Sequence, residues 1–147
     1  MDKYDGLKLK NQLCFPLYSV SNLITRNYQP LLESLDLTYT QYIVMMVLWE
    51  KEEITEKDLG KALFLKSNTL TLLLKKLKAK GYVDIHKGKE DSRFVYISLT
   101  EKGRELKDKA VCVPSSIAKT INLSEEEAIF LYKILYKILE VNENEEL

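Results

Sequence analysis

Ser67-Asn68-Thr69-Leu70-Thr71-Leu72-Leu73-Leu74-Lys75-Lys76-Leu77 is followed, after Gly81, by Tyr82-Val83-Asp84-Ile85-His86, Lys87-Gly88-Lys89-Glu90-Asp91-Ser92 and the run from Arg93 to Leu99. Its hydrophobic period changes partway. Leu70, Leu73, Leu74 and Leu77 recur at steps of three and four, the period of an amphipathic helix, and Ser67 is its expected cap. Gly81 stops that helix. Beyond it the residues alternate, break at a polar turn and alternate again, which predicts a β-hairpin. With the leucines turned inward, a 3.6-residue period sends Asn68, Leu72, Lys75 and Lys76 outward and Thr69 to the flank.

Immediately upstream, Thr55-Glu56-Lys57-Asp58 reads as a capped start for a short helix carrying Leu59, Ala62 and Leu63, with Glu52 to Thr55 as a brief connector. The order helix, turn, helix, strand, wing, strand is that of a winged helix-turn-helix, whose second helix enters the major groove. On that reading Ser67, Asn68, Thr69, Thr71 and Leu72 are candidate contacts to base edges or their surroundings, and Lys75 and Lys76 suit phosphates. Lys87, Lys89, Asp91 and Arg93 occupy the turn, where cations suit the minor groove or its backbone. By pattern alone, the helix could equally be an amphipathic segment with a solvated lysine face.

The flanks are helical. Between Asn11 and Asn27, Leu13, Leu17, Val20 and Ile24 form an apolar stripe, and Pro16 sits early enough to be tolerated. Thr38-Tyr39-Thr40-Gln41 is a capping-box pattern ahead of Tyr42, Ile43, Met46, Val47 and Trp49. Thr100 caps a further helix after the hairpin. Ser124-Glu125-Glu126-Glu127 starts the last one, with Ala128, Leu131, Leu135 and Ile138 on one stripe and Ile134 and Leu139 widening it. The expected fold is mainly α with a small β-hairpin wing, one domain over 1–147. About 36–103 form the winged helix-turn-helix, and about 1–35 and 104–147 supply dimerisation helices.

At 147 residues and 46% hydrophobic content the chain has material for one core. Net charge is zero, yet from Lys66 to Arg93 eight Lys or Arg stand against three acids, and from Ser124 onward seven Glu oppose two Lys. The balance is regional and hides a basic segment. Met1-Asp2-Lys3-Tyr4-Asp5-Gly6 shows no secretory pattern, and no run has the roughly 18 apolar residues of a membrane span. A cytoplasmic protein is expected. Cys14, Cys112 and the lone His86 lack metal-ligand spacing, so neither a metal nor a cofactor is expected.

Asp91-Ser92-Arg93, then Leu99-Thr100 and Gly103, resembles the wing signature of the MarR family of transcriptional regulators, and Ser67 to Leu77 resembles its recognition helix. The resemblance implies a homodimer, built from interleaved N- and C-terminal helices, that represses transcription at palindromic double-stranded operator DNA. Gln12-Leu13-Cys14-Phe15, Tyr18, Tyr28 with Pro30-Leu31-Leu32, and Leu37 to Tyr42 are similar to the organic-hydroperoxide-sensing OhrR branch with its MgrA and SarZ relatives. That likeness implies that Cys14 is the sensor, that Tyr28 and Tyr39 hydrogen-bond to it from the partner subunit, and that Tyr18 lies nearby.

The residue types suit that chemistry. A thiolate is the nucleophile, and the positive end of a helix dipole favours an anion at Cys14. Phenolic hydroxyls can stabilise the thiolate and steady a sulfenic acid. Leu13, Phe15 and Leu17 make the surroundings apolar, which favours an organic hydroperoxide over hydrogen peroxide. Cys112 has two readings. It is the candidate resolving cysteine, as in two-cysteine members of the branch, or a small apolar residue in a helix turn, with a small thiol resolving Cys14 instead. Two other functions remain open on the residues: a repressor released by a small phenolic or lipophilic ligand, and a thiol peroxidase. The second lacks a thioredoxin-like pattern and leaves the basic helix and hairpin without a purpose.

Overall fold

The computed structural model describes residues 2–143. Two short 3-10 turns, Asp5–Leu7 and Leu9–Asn11, lead into α1 (Cys14–Glu33). Helix α2 (Tyr39–Lys51), strand β1 (Glu53–Thr55), helices α3 (Glu56–Leu63) and α4 (Ser67–Ala79), and strands β2 (Val83–Lys87) and β3 (Val95–Leu99) follow. Helices α5 (Glu101–Ala110), α6 (Val113–Ala118) and α7 (Glu125–Glu143) complete the chain. The fold is mostly helical with a small antiparallel sheet in the order β1-β3-β2.

Local chemistry accounts for most of the boundaries. Thr38 caps α2 through a full capping box: the Gln41 N–H donates to Thr38 Oγ1 at 3.3 Å and the Thr38 N–H to Gln41 Oε1 at 3.1 Å. Ser124 and Glu127 make the same reciprocal pair at the start of α7. Thr55 and Thr100 cap α3 and α5. Gly81, at φ 78°, ends the connection from α4 in a conformation that costs glycine little.

Four expectations need correction. Helix α1 starts at Cys14 and runs to Glu33, with Pro30 accommodated inside it at the loss of one backbone hydrogen bond. The connector at 52–55 contains a strand: Ile54 pairs with Ile97, which pairs on its other side with Ile85, so three isoleucines form one row across the sheet. Ser67 does not cap α4. Left-handed Phe64 and the Leu65 N–H bond to the Gly60 carbonyl tighten the turn after α3, so Lys66 is the last extended residue and Ser67 is already helical. The helix after the wing breaks at Val111 and restarts at Val113, with Pro114 in the first turn of α6.

The core runs from Leu32 to Val113 in sequence. Val44, Met45 and Leu48 of α2, Leu59 of α3, Leu77 of α4 and Ile97 of β3 are fully buried at its centre. Helix α4 contributes Leu70, Leu73, Leu74 and Leu77, the leucines of the expected stripe. By contrast, α7 buries none of its side chains within the chain, and Ile129, Phe130, Leu131, Tyr132, Ile134 and Leu135 stay exposed. Leu13, Phe15, Leu17, Val20 and Leu23 around α1 are exposed as well.

One close approach locks the hairpin to the helices. A Cβ at Gly103 would collide with the Tyr82 carbonyl oxygen, and the Gly103 carbonyl accepts from Trp49 Nε1 at 2.9 Å. Thr100 Oγ1 donates to the Gly81 carbonyl at 2.6 Å while accepting from the Gly103 N–H at 3.0 Å. The Leu-Thr-x-x-Gly half of the wing signature therefore serves packing. Gly103→Ala is expected to lower the unfolding free energy by about 3 kcal/mol, because backbone rather than a flexible side chain would have to move. A urea-melt midpoint unchanged from the parent protein would contradict this.

Candidate nucleic-acid interface and redox site

Helix α4 presents Ser67, Asn68, Thr69, Thr71, Leu72, Lys75 and Lys76 on its solvent side, all exposed, with Leu72 at 58%. Two of the polar groups are already engaged. Asn68 Oδ1 accepts from the Thr69 N–H at 2.9 Å. The Thr71 hydroxyl lies 2.8 Å from both Glu56 Oε1 and the Ser67 carbonyl, so its single proton is used within the protein and ties α4 to α3. Gly60 permits that closeness, since a Cβ there would stand 3.1 Å from the Leu65 carbonyl oxygen.

The wing spans the residues between β2 and β3. The Gly88 N–H donates to the Phe94 carbonyl at 2.8 Å, and a Cβ at Gly88 would meet the Asp91 carbonyl oxygen at 2.6 Å, so the turn requires glycine. Arg93 Nε donates to Asp91 at 3.1 Å and its Nη2 at 2.7 Å, while the Arg93 N–H donates to Asp91 Oδ1 at 3.0 Å. The guanidinium holds the Asp91 carboxyl below its ordinary range, so the pair is intact at neutral pH. Exposed as it is, the pair adds little stability; its effect is to aim Arg93, whose side chain is 87% exposed. Lys87 and Lys89 are exposed beside it.

Cys14 opens α1 and is exposed, and Tyr18, one turn later, is 67% exposed. Tyr28 and Tyr39 come together: their rings are 4.8 Å apart between centroids, and Tyr42 stands 5.7 Å from Tyr28. Tyr42, which was not among the expected sensor residues, thus joins the cluster. Burial, with the neighbouring Tyr39 and Tyr42 hydroxyls, pushes Tyr28 up to about 12. Burial raises Tyr39 too. All three phenols therefore remain O–H donors at neutral pH. Fourteen residues of α1 separate Cys14 from Tyr28, about 21 Å along the axis, so one chain cannot bring them together.

Beside the tyrosines, Tyr42, Met46, Trp49, Ala110, Val111 and Pro114 line an open, mostly apolar groove of about 380 Å³. Cys112, exposed at the junction of α5 and α6, sits next to that wall in sequence. Among the described residues no helix is long and apolar enough to cross a membrane.

Comparison with known proteins agrees with this architecture. Residues 26–110 match the family model described as transcriptional regulator SarA/Rot. The chain is 45% identical over 139 residues to the organic hydroperoxide resistance transcriptional regulator of Bacillus subtilis, covering 95% of each chain. It is similar to AbfR of Staphylococcus epidermidis. Against reduced AbfR bound to DNA the TM-score is 0.76 at 34% identity, covering 95% of this chain and 97% of that one. Against disulfide-formed AbfR it is 0.61 at 33% identity, covering 97% of each. A mutant MarR from E. coli complexed with operator DNA gives a TM-score of 0.80 at 25% identity, covering 95% and 99%.

The raised Tyr28 has a thermodynamic consequence. In the unfolded chain this phenol ionises near 10, and in the fold near 12. Its contribution to stability is therefore fully present below pH 10 and is lost as pH rises through about 12. Tyr28→Phe should flatten the alkaline limb of the stability profile in that window, measured by denaturant melts at successive pH values; an unaltered limb would refute the assignment.

Proposed function

The chain belongs to the SarA/Rot family of MarR-like winged-helix transcriptional regulators, and on that premise we propose how its residues divide the work of an oxidation-sensing DNA-binding repressor. The observation that carries the reading is the tyrosine pair: Tyr28 and Tyr39 hold two protonated phenols together at the α1–α2 corner, out of reach of their own Cys14. A second copy supplies the thiol. The exposed apolar faces of α1 and α7 provide the surface on which two copies associate, and a two-fold dimer presents two α4 helices to a palindromic operator.

In the reduced dimer, Tyr28 and Tyr39 donate to the partner's Cys14 thiolate. An organic hydroperoxide then accepts sulfur's electron pair at its outer oxygen. The O–O bond breaks, an S–O bond forms, and the alkoxide leaves as the alcohol after taking a proton. Sulfur is oxidised by two electrons to the sulfenic acid, and a small thiol condenses with it to give a mixed disulfide and water. The negative charge that the phenols stabilised is gone, and bulk has been added between them. Recognition helices about 34 Å apart tolerate little reorientation, so the operator is released. The sulfur turns over once, which makes the protein a stoichiometric sensor rather than a peroxidase. We place it in the cytoplasm, with 36–103 as the DNA-binding part and 1–35 and 104–147 as the dimerisation parts.

On the DNA, Asn68, Thr69 and Leu72 are assigned to base edges, Lys75, Lys76, Lys87 and Lys89 to phosphates, and Arg93 to the minor groove with Asp91 directing it. Ser67 opens α4, and Thr71 ties that helix to α3 through Glu56.

Binding to the chain's own upstream DNA, followed by gel shift, tests the switch. The wild-type protein should release the DNA on treatment with an organic hydroperoxide and recover it with reductant, whereas Cys14→Ser should bind throughout. Equal release from both proteins would reject Cys14 as the sensor. A reductant-sensitive dimer band that vanishes in Cys112→Ser would reassign resolution from a small thiol to Cys112. Separately, Arg93→Ala should weaken binding by about tenfold and reduce the salt slope by about one, with the dimer still folded; unchanged affinity would take Arg93 off the interface.

A further inference from the structure

Gln41 is the one buried polar side chain among the described residues, at 3% exposure. A buried amide needs partners, and its Oε1 has two: the Thr38 N–H at 3.1 Å and Lys80 Nζ at 3.0 Å. Lys80 is the C-cap residue of the recognition helix α4. Its ammonium also donates to the Asp36 carbonyl at 2.6 Å and faces Asp36 Oδ1 at 3.3 Å. Three N–H donors thus meet three acceptors, and the ammonium is saturated inside the protein. Asp36, at φ 52°, holds a left-handed conformation that few residue types adopt without cost.

These contacts join the end of α4 to the α1–α2 corner. The other side of that corner carries Tyr39, the first residue of α2, against which Tyr28 of α1 packs. A second tie runs parallel and is buried: the Tyr82 hydroxyl donates to the Leu35 carbonyl at 3.1 Å. No other charged side chain from the DNA-binding half reaches both the capping box of α2 and the loop before it among the hydrogen bonds of the described residues.

We propose that Lys80 is a positioning residue that couples the oxidation state of Cys14 to the pose of the recognition helix, through Gln41 and Asp36. The inference rests on the sensor reading above. When the phenols lose the thiolate and are pushed apart, the first turn of α2 and the corner before it move. Because Lys80 clamps that corner to α4, the recognition helix moves with it. Without the clamp the corner is tied to α4 only by core packing and the Tyr82–Leu35 hydrogen bond, and less of its shift reaches the recognition helix. Lys80 belongs to the basic segment of the sequence, yet its charge is turned to Asp36 rather than offered to phosphate.

Fluorescence anisotropy on DNA that binds the reduced wild-type dimer gives the test, through the ratio of oxidised to reduced Kd. Lys80→Met keeps the aliphatic stem and removes the donors. It should lower that ratio by about tenfold or more while leaving the reduced Kd within about threefold and the salt slope unchanged. Lys80→Arg, which retains donors, should keep most of the ratio. Should Lys80→Met fail to fold by circular dichroism, Lys80→Gln, too short to span Asp36 and Gln41 together, carries the same expectation. A wild-type ratio in the donor-less variant overturns the coupling role, as does a salt slope reduced by about one, which would mark a phosphate contact. If the wild-type protein itself shows no change on oxidation, the sensor reading falls, and the coupling with it.

Discussion

An α-helix advances 1.5 Å per residue and does not fold back on itself, so Cys14 at the start of α1 and Tyr28 fourteen residues along it are kept about 21 Å apart. The proposed sensing chemistry depends on that separation. A thiol cannot be stabilised by phenols on its own helix at such a distance, and the site exists only where a second α1 brings its first turn to the corner. The same helix leaves Leu13, Phe15 and Leu17 exposed beside Cys14. In the proposed dimer these apolar neighbours are the surface that the second copy covers, which would shield the exposed sulfur from water, so the proposal gives dimerisation and peroxide selectivity one cause.

The winged-helix body is built differently. Its core is continuous from Leu32 through Val113, with α2 at the centre and Ile97 of β3 fully buried against it, so it draws on residues on both sides of the proposed 36–103 DNA-binding part. Gly103 against the Tyr82 carbonyl and Trp49 Nε1 on the Gly103 carbonyl hold the hairpin base to α2 and α5. Such a body moves as a unit, because a close-packed interior transmits displacement rather than absorbing it. Leu32, Leu35 and Leu37 place the α1–α2 corner in that same core, so a small change there can reach α4, and a polar contact from corner to helix adds to what packing transmits. The Lys80 ammonium makes such a contact.

Much of the architecture was legible in sequence because it is governed by near neighbours. The leucines of α4, the caps at Thr38, Thr55, Thr100 and Ser124, the stop at Gly81 and the polar turn at 87–92 all act within a few residues, and each stands where its chemistry directs. Strand β1 was not legible. Three residues, Glu53, Ile54 and Thr55, carry no alternation worth the name, and what makes them a strand is the edge of β3 more than forty residues away. Ser67 misled for a similar reason: a serine ahead of a leucine stripe looks like a cap, but the left-handed Phe64 moves the helix start by one residue.

The sequence by itself determined the alternation of helical and strand periods, the basic segment, and the presence of the Cys14 thiol ahead of a tyrosine-rich stretch, because period, charge and residue type are properties of the chain before it folds. Only the tertiary structure decided which groups meet: Tyr28 with Tyr39 and Tyr42, Lys80 with Asp36 and Gln41, Gly103 with Tyr82. It also decided that Lys80 is tied down within the protein while Lys75 and Lys76 remain exposed. The physical reason is that a lysine's role is set by the acceptors within about 3 Å of its nitrogen, and those acceptors come from parts of the chain that sequence distance does not rank.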